Sequence, residues 1–237
     1  MTETARTMPA RTAADEALDL VQDGSVIGLG SGRVAGQFLR KLGARVASGL
    51  KVRGVPTSLR TAALAKELGI PLADLSEVPE LDIAFDGADE VDPFLDLIKG
   101  YGGSLVREKV VASAARRVVI LIGPPSESAA KMVQRLGSRG RLPVEVIPFA
   151  AEACRRGLMR LGLDSSIRQD ASGPVTSDNG NLILDARIEP VIHPAGLERA
   201  IRSIAGVVGT GLFLGMADLV LIDTVAGLER QARPGRE

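Results

Sequence analysis

The stretch LDIAFDGADEVDP, residues 81–93, joins a short apolar run to a cluster of four carboxylates. Residues 81–85 have the length and apolar character of a buried β-strand. The carboxylates that follow are Asp86, Asp89, Glu90 and Asp92. Ligand crevices of parallel α/β sheets form outside the carboxyl ends of the strands, which would place this cluster at a functional edge. The alternative is a solvated turn, because Asp and Pro are common in turns.

On both sides of this stretch, strand-sized apolar runs alternate with segments of helical periodicity. That alternation is typical of parallel α/β architecture. The elements expected up to residue 122 are helix 10–21, strand 25–29, helix 33–46, a short strand around Val52, helix 58–68, strand 81–85, helix 104–115 and strand 118–122. The predicted fold class is therefore α/β with a parallel sheet.

The pattern changes after residue 142. The elements expected there are strand 143–147, helix 150–161, strand 166–169, strand 182–188, helix 195–204 and strand 207–213. This order is βαββαβ, the split-βαβ or ferredoxin-like unit. A last apolar run, 217–222, is one strand too many for that unit, so we expect it to return to the first sheet. The sequence thus predicts a large domain of residues 1–140 plus 215–237, with an inserted α+β small domain of residues 141–214.

Composition excludes several classes of protein. The 237 residues are 45% hydrophobic, which is enough to bury a substantial core and excludes a disordered chain. Because 29 basic residues balance 29 acidic ones, overall charge predicts no nucleic acid and no membrane partner. No apolar run approaches the roughly 18 residues of a membrane span, and the N-terminus lacks a secretory h-region, so we expect a cytoplasmic protein. The charged tail 229–237, which contains Pro and Gly, is expected to be frayed.

Metal and disulfide chemistry lack the residues they need. A single cysteine, Cys154, allows no internal disulfide and no cysteine metal cluster. A single histidine, His193, leaves a transition-metal site short of ligands, and the acidic cluster lacks the calcium-loop pattern. We therefore expect no metal and no other cofactor.

The segment GLGSGRVAG, residues 28–36, lies between a predicted strand and a predicted helix. Glycines there allow backbone N–H groups to approach an anion at the helix N-terminus, although a tight strand-to-helix turn needs glycine anyway. Residues 24–66 contain eight Lys or Arg and no Asp or Glu. Arg33 lies inside the loop, where a guanidinium can bind phosphate through two hydrogen bonds.

A dinucleotide site is the main alternative for this loop. Counting the G-x-G-x-x-G fingerprint from Gly28 puts Arg33 at the third glycine, whereas counting from Gly30 puts Ala35 there, which the looser pattern allows. Neither register has an acidic residue about 20 positions later to hold a ribose hydroxyl. The P-loop pattern is also absent. These observations favour a small phosphorylated ligand.

A second glycine-rich turn, KGYGGS at residues 99–104, leads into a helix that carries Glu108 about one turn after a candidate N-cap, Ser104. The helix dipole stabilises a carboxylate there, so a favourable surface charge is the alternative to a catalytic one. Neighbouring carboxylates raise at least one carboxyl pKa, which suits proton transfer near neutrality. An anion-binding loop, several acids and one lysine together suit proton transfer on a sugar phosphate.

Five segments resemble, in order, the signature segments of the type A ribose-5-phosphate isomerase family: GVPTSLRTAALAKELGIPL, DGADEVDPFLDLIKGYGGSLVREKVVASAA, LPVEVIP, SDNGNLILD and GLFLGMAD. The resemblance extends from about residue 25 to 222. It implies a metal-free enzyme of the pentose phosphate pathway that interconverts ribose 5-phosphate and ribulose 5-phosphate. It also implies a Rossmann-like large domain, a ferredoxin-like small domain, and a homodimer or homotetramer.

The resemblance further implies roles for individual residues. Glu108 matches the family's proton acceptor, which takes the C2 proton and returns it to C1 through a cis-enediolate. Lys99 matches the lysine that faces the reacting oxygens, and Asp86 and Asp89 match the pair that contacts the sugar hydroxyls, one of them assisting ring opening. The substrate-binding and phosphate-binding positions implied are Ser31, Gly32, Arg33, Val34, Gly87, Ala88, Gly100, Tyr101, Gly102 and Lys131.

The chain departs from the family pattern in four places. Where TGST is common, residues 31–34 read SGRV, so two hydroxyls are lost, and we expect Arg33 to replace them at the phosphate. Lys131 matches the phosphate-side lysine only after extra residues in GPPSESAAK, 123–131. A lysine near the N-terminus has no counterpart, and Tyr101 interrupts a run that is commonly all glycine.

Two other functions stay open from the sequence. A non-catalytic sugar-phosphate sensor would need only the fold and the phosphate loop. An NADP-dependent reductase would also make use of Arg33 and the basic first part of the chain.

Overall fold

The computed structural model describes residues 11–233. Its α-helices are α1 Ala13–Asp19, α2 Gly32–Ala47, α3 Leu59–Glu67, α4 Leu105–Ser113, α5 Pro125–Lys131, α6 Ala151–Arg160 and α7 Pro194–Arg202. Its strands are β1 Val26–Leu29, β2 Arg53–Pro56, β3 Ile83–Gly87, β4 Glu90–Val91, β5 Leu97–Ile98, β6 Val118–Ile122, β7 Arg141–Val146, β8 Ser165–Ile167, β9 Gln169–Asp170, β10 Gly173–Pro174, β11 Leu182–Arg187, β12 Val207–Thr210, β13 Leu212–Phe213, β14 Leu219–Thr224 and β15 Gly227–Ala232.

The central sheet has six strands in the order β15-β14-β6-β3-β1-β2. Its strands pair in parallel from β14 to β2, and β15 joins the edge antiparallel. Along β6, Val119 packs into the core that contains Phe38, whereas Ile120 packs with Leu97 on the other face. A strand buried on both faces needs apolar residues at every position, which explains its unbroken apolar sequence. The predicted α/β class with a parallel sheet is confirmed.

Neighbouring strands bring the two predicted site loops together. β1 and β3 are adjacent and in register, with Leu29 opposite Phe85, so both chains leave the sheet at the same edge. The Gly30 N–H donates to the Phe85 carbonyl over 2.8 Å. Gly32 then takes a positive φ of 87° and begins α2, a conformation that favours glycine. The acidic loop therefore lies beside the N-terminus of α2.

A second sheet is wholly antiparallel and has the strand order β12-β7-β11-β8. Together with α6 and α7 its elements follow the predicted order βαββαβ, with the small hairpin β9–β10 added before β11. Cys154 is buried in the core of this unit with Leu158 and Val144. The domain limits at residues 140 and 214 stay predictions.

A third, three-stranded sheet of the order β13-β5-β4 links the acidic loop to the end of the antiparallel unit. The strand predicted at 207–213 is therefore divided into β12 and β13. Gly211 lies between them and donates its N–H to the Pro143 carbonyl over 2.7 Å. A Cβ at Gly211 would lie 2.3 Å from the Lys99 carbonyl oxygen, so the backbones approach as closely as glycine allows. This packing fixes the chain that leads into Lys99.

The end of the chain confirms one prediction and corrects another. The last apolar run returns to the first sheet as predicted, since β14 pairs in parallel with β6. The expectation of a frayed tail is wrong for residues 229–232, which belong to β15. There Leu228 packs against the main core and Arg230 forms an ion pair with the buried Glu16. Residues 234–237 lie outside the described part.

The helices differ from prediction mainly at their ends. The helix expected at 10–21 is shorter, and Thr12 begins it with a capping box to Asp15. Residue 10 lies outside the described residues. Helix α5 lies within segment 123–131, which has extra residues relative to the family pattern and for which the sequence predicts no helix. Proline is favoured at the first position of a helix, which Pro125 occupies. Among residues 11–233, no helix combines the length and apolar character needed to cross a membrane.

Candidate active site

Asp86 lies at the carboxyl end of β3, against the turn that follows β1. Its Oδ1 accepts hydrogen bonds from the Ser31 N–H at 3.0 Å and from the Gly87 N–H at 2.8 Å. Gly30 makes this contact possible, because a Cβ there would lie 2.4 Å from Asp86 Oδ1. Asp86 is only 7% exposed, so the first carboxylate of the cluster is a buried group held by two loops.

Lys99 follows β5 and extends its ammonium between two carboxylates. Its Nζ lies 3.0 Å from Asp86 Oδ2 and 3.2 Å from Glu108 Oε2, and it also donates to the Gly87 carbonyl. Lys99 is 4% exposed and Glu108 is 5% exposed. Two buried carboxylates thus share one buried cation, which leaves a negative charge when both acids are ionised.

Glu108 lies in the first turns of α4, and its two carboxylate oxygens differ in their hydrogen-bond partners. Its Oε1 accepts a hydrogen bond from the Ser31 hydroxyl at 2.5 Å. Its Oε2 is buried without a hydrogen-bond donor among residues 11–233, because the nearby Lys99 ammonium lies at ion-pair distance without hydrogen-bond geometry. A buried carboxylate oxygen that lacks a donor keeps its lone pairs available for a proton.

Burial and charge shift the proton affinities of these groups. Burial raises the pKa of Asp86 to about 7, the Glu108 charge adds to the increase, and Lys99 opposes it. Burial also raises the pKa of Asp89. For Lys99, burial alone would lower the pKa, but the surrounding carboxylates outweigh it and hold the pKa above its usual range. The lysine therefore stays cationic while Asp86 can exchange a proton near neutral pH.

The other two acids of the cluster support the backbone. Glu90 is fully buried and accepts hydrogen bonds from the Gly137 N–H at 2.7 Å and the Arg139 N–H at 2.8 Å. Asp92 accepts from the N–H groups of Phe94 and Asp96, both at 2.9 Å, and closes its own turn. The cluster thus divides into two acids that face the site and two that hold loops in place.

Asp89 is tied to the second glycine-rich turn. Its Oδ2 accepts a hydrogen bond from the Tyr101 N–H at 2.9 Å. The Tyr101 ring turns away from the site: it packs against the guanidinium groups of Arg141 and Arg139, with centroid distances of 3.8 and 5.3 Å, and its hydroxyl donates to the Arg141 carbonyl. Tyr101 therefore contributes its backbone to the site, while its side chain packs outside.

Most of the predicted site residues line one cavity of about 160 Å³. Twelve of the fourteen line it, and the exceptions are Asp86 and Tyr101. Asp86 lies one layer deeper, where it lines a void of about 10 Å³ with Lys99 and Glu108. Pockets for drug-sized ligands measure roughly 300–1,000 Å³, so this cavity suits a small ligand better than a dinucleotide.

The N-terminus of α2, residues 31–34, lines the same cavity. The Ser31 side chain makes no capping hydrogen bond there, because it bonds Glu108 instead, and the first N–H groups of the helix lack intrahelical acceptors. Lys131 lines the same end, and burial lowers the pKa of its ammonium. Arg33 also lines it but is mainly exposed and forms an ion pair with Glu127 of α5. Backbone N–H groups of α2, Lys131 and the Arg33–Glu127 pair therefore lie close together at this cavity.

Sequence reasoning missed two residues beside the site. Glu127, which pairs with Arg33, belongs to the segment that the sequence showed only as extra residues. Arg168, next to β8, donates to the carbonyls of Gly100 and Tyr101 from the antiparallel sheet. No motif spacing connects Arg168 to that turn, so only the tertiary structure reveals the contact. Within residues 11–233, no group of three or more His, Cys, Asp or Glu is arranged to hold a metal ion.

Comparison with known proteins decides the family. The family model described as ribose 5-phosphate isomerase A (phosphoriboisomerase A) matches residues 53–227. The chain belongs to this family. The ribose-5-phosphate isomerase A of Roseiflexus castenholzii is 52% identical over 215 residues, 90% of each chain. That of Thermomicrobium roseum is 48% identical over 229 residues, covering 96% of this chain and 93% of the relative.

Solved structures of ribose 5-phosphate isomerases share the whole fold. The enzyme from Methanocaldococcus jannaschii is 42% identical with a TM-score of 0.87, covering 93% of this chain and 96% of its own. A D-ribose-5-phosphate isomerase in complex with phospho-erythronic acid is 38% identical with a TM-score of 0.88 and the same coverage. The resemblance recognised in the sequence is confirmed.

Proposed function

We propose that this chain interconverts D-ribose 5-phosphate and D-ribulose 5-phosphate, with Glu108 as the base that moves the proton between C2 and C1. The observation that carries the proposal is the buried Oε2 of Glu108, which has no hydrogen-bond donor among the described residues and lies beside the Lys99 ammonium. Family membership supports the reaction, and this geometry supports the assignment of the base.

In the first half-reaction, the Glu108 carboxylate removes the C2 proton of the open-chain aldose. The electron pair of that C–H bond forms the C1–C2 double bond, and the aldehyde oxygen takes up negative charge as the cis-enediolate forms. In the second half-reaction Glu108 returns its proton to C1. The C2 hydroxyl gives up its proton and becomes the ketone, and the C1 oxygen takes up that proton and becomes the C1 hydroxyl. A positioned base typically contributes about 10² to 10⁴ in rate.

Lys99 stabilises the enediolate. Its ammonium is buried between Asp86 and Glu108 and held cationic by their charges, so it needs little rearrangement when charge develops on the substrate oxygens. Transfer of the proton from C2 to Glu108 removes one carboxylate partner from Lys99. Its charge then becomes available to the enediolate at the moment it forms.

Asp86 and Asp89 bind the sugar hydroxyls and one of them assists ring opening. The raised pKa of Asp86, about 7, lets this group gain or lose a proton at neutral pH. The N–H groups at the start of α2, Arg33 and Lys131 bind the phosphate. Because the Ser31 hydroxyl bonds Glu108, we assign Ser31 to orientation of the base as well as to the phosphate loop.

The ligand of one solved relative is consistent with this assignment. Phospho-erythronic acid is a sugar-acid phosphate, and its carboxylate carries two oxygens on one carbon, close in charge to the two oxygens of an enediolate. We further propose the Rossmann-like and ferredoxin-like domain limits given above, a cytoplasmic location, and a homodimer or homotetramer.

The test is isomerisation of ribose 5-phosphate by the purified protein and by Glu108→Gln. Glu198→Gln is a matched control, because Glu198 also pairs with a lysine, Lys109 at 3.3 Å, but does not line the cavity. We expect wild type and Glu198→Gln to turn over, and Glu108→Gln to lose about 10² to 10⁴ in kcat. Absence of turnover by wild type that still binds ribose 5-phosphate would favour the sensor alternative. Saturable binding of NADPH would favour the reductase.

A further inference from the structure

Arg168 connects the antiparallel sheet to the glycine-rich turn after Lys99. Its guanidinium bonds Asp185 of β11 through Nε at 2.9 Å and Nη2 at 2.5 Å. The remaining Nη1 donates to the Gly100 carbonyl at 2.9 Å and to the Tyr101 carbonyl at 3.1 Å. The Arg168 side chain is 10% exposed and that of Asp185 is 16% exposed. A largely buried guanidinium, oriented by Asp185, thus bonds two consecutive carbonyls of one turn.

The backbone of Arg168 is fixed by hydrogen bonds. Its backbone N–H donates to the Ile183 carbonyl at 2.8 Å, and its carbonyl accepts from the Val175 N–H at 2.9 Å. The two-bond contact with Asp185 fixes the plane of the guanidinium, and such bidentate pairs are stronger and more directional than single hydrogen bonds. The position of Nη1 is therefore set by the sheet, independently of the turn that it contacts.

The turn needs an external support. Gly100 has φ 105° and Gly103 has φ 93°, conformations that favour glycine. Glycine also has more backbone freedom to lose on folding than any other residue. Within the turn, the Gly103 N–H donates to the Gly100 carbonyl over 3.1 Å. Arg168 adds two charge-assisted hydrogen bonds to carbonyls that β-ladders leave unpaired. It thereby selects one conformation of a segment that glycine makes adaptable.

Three groups of the site depend on the path of this turn. Lys99 precedes it, the Tyr101 N–H within it donates to Asp89, and α4 with Glu108 follows it. The Ser104 carbonyl, at the end of the turn, accepts the Glu108 N–H at 3.0 Å. A shift of the turn would move Lys99, Asp89 and Glu108 relative to one another.

We propose that Arg168, oriented by Asp185, is a positioning residue for the isomerisation, which fixes the turn between Lys99 and Glu108 from the antiparallel sheet. This inference rests on the proposed function. Arg168 does not line the cavity within the described residues, so it acts through the turn and not through contact with substrate. Misplacement by about 1 Å can cost about 10²-fold in rate. The loss on substitution therefore falls on kcat more than on KM.

The experiment compares wild type with Arg168→Lys and Arg168→Ala. Arg155→Lys is the matched control, since Arg155 belongs to the same unit and also bonds a backbone carbonyl, that of Ser165 at 3.0 Å, and a carboxylate, Glu152 at 3.1 Å. We expect Arg168→Lys to lower kcat by about 10²-fold with KM changed less than about 3-fold. Arg155→Lys should match wild type in both constants. Equal kcat for Arg168→Lys and wild type, or an equal loss in Arg155→Lys, would overturn the proposal.

Two further readouts separate positioning from general stability. Backbone hydrogen exchange in a peptide covering residues 99–104 should rise in Arg168→Lys while exchange in β7 and β11 stays at the wild-type level. Guanidinium ion at tens of millimolar should restore part of kcat to Arg168→Ala, whereas the same concentration of sodium chloride should not. Unchanged exchange in the turn would refute the inference. If Arg168→Ala fails to fold, the lysine variant still decides the question.

The same design separates this inference from the proposed function. If wild type does not isomerise ribose 5-phosphate, the proposed function fails. Hydrogen exchange in residues 99–104 still reports whether Arg168 holds the turn.

Discussion

Replacing Asp86 by Asn should change how stability depends on pH. Asn keeps an oxygen for the N–H groups of Ser31 and Gly87 but cannot ionise. The pKa of Asp86 is raised from 3.8 to about 7, chiefly by burial and then by the Glu108 charge. A carboxyl that binds its proton more tightly in the folded chain contributes stability that is fully present below its unfolded pKa of 3.8. That contribution is lost as the pH rises through 7.

The magnitude follows from the same values. A carboxyl pKa raised from 3.8 to about 7 corresponds to roughly 4 kcal/mol between the fully protonated and fully ionised limits. Between about pH 5 and about pH 8, the free energy of unfolding of wild type relative to Asp86→Asn should fall by roughly 3 kcal/mol. This change with pH is independent of any constant offset that the substitution introduces through Lys99.

Urea unfolding at the two pH values measures the effect. Asp74→Asn is the control, because Asp74 is exposed and hydrogen bonds from Ser76 lower its pKa, so its difference from wild type should be flat in this range. If the difference between wild type and Asp86→Asn is equally flat, Asp86 is ionised throughout. The reasoning that burial and Glu108 outweigh Lys99 would then be refuted.

Two other substitutions test the phosphate end and the close approach of the loops. Lys131→Ala should raise KM for ribose 5-phosphate by about 10- to 100-fold in steady-state assays, because it removes a charged contact with the phosphate. Lys66→Ala is the control, since Lys66 lies outside the cavity and its loss should leave KM unchanged. Equal KM values for the two variants would exclude Lys131 from phosphate binding. Gly30→Ala places a Cβ 2.4 Å from the Asp86 carboxylate, so it should abolish most activity and cost about 1–3 kcal/mol in urea unfolding. Gly36→Ala in α2 is the control: its added Cβ would have Leu64 Cδ2 of α3 as its nearest neighbour, at 3.9 Å, so activity should be unchanged. Identical behaviour of the two variants would contradict the packing argument.

Local patterns predicted the parts of the fold that depend on local physics. The sequence predicts strand 118–122 with its observed limits, because burial on both faces requires an unbroken apolar run. The sequence places each of the two loops directly after a strand of a parallel sheet, where ligand crevices form; the structure adds that these strands, β1 and β3, are neighbours. The return of the last strand followed from counting the strands of the βαββαβ unit.

The features that the sequence did not show depend on contacts between distant segments. Arg168 lies 68 positions from Gly100, and nothing in its neighbourhood marks it as a partner of that turn. The Tyr101 ring turns away from the cavity because two arginines pack against it, which composition cannot reveal. The sequence of β15 resembles a frayed tail because it is charged, although it pairs with the preceding strand β14, and its ion pair with Glu16 comes from the other end of the chain.

The most direct test of Glu108 as the base is the fate of deuterium at C2 of ribose 5-phosphate. Turnover of the C2-deuterated aldose in ordinary water, followed by NMR, reports both the removal of deuterium and its partial transfer to C1 of the ketose. We expect a primary isotope effect in wild type. In Glu108→Gln, removal of C2 deuterium should be slower by about 10² to 10⁴ while that variant still binds ribose 5-phosphate. Equal rates of deuterium loss in the two proteins would contradict it.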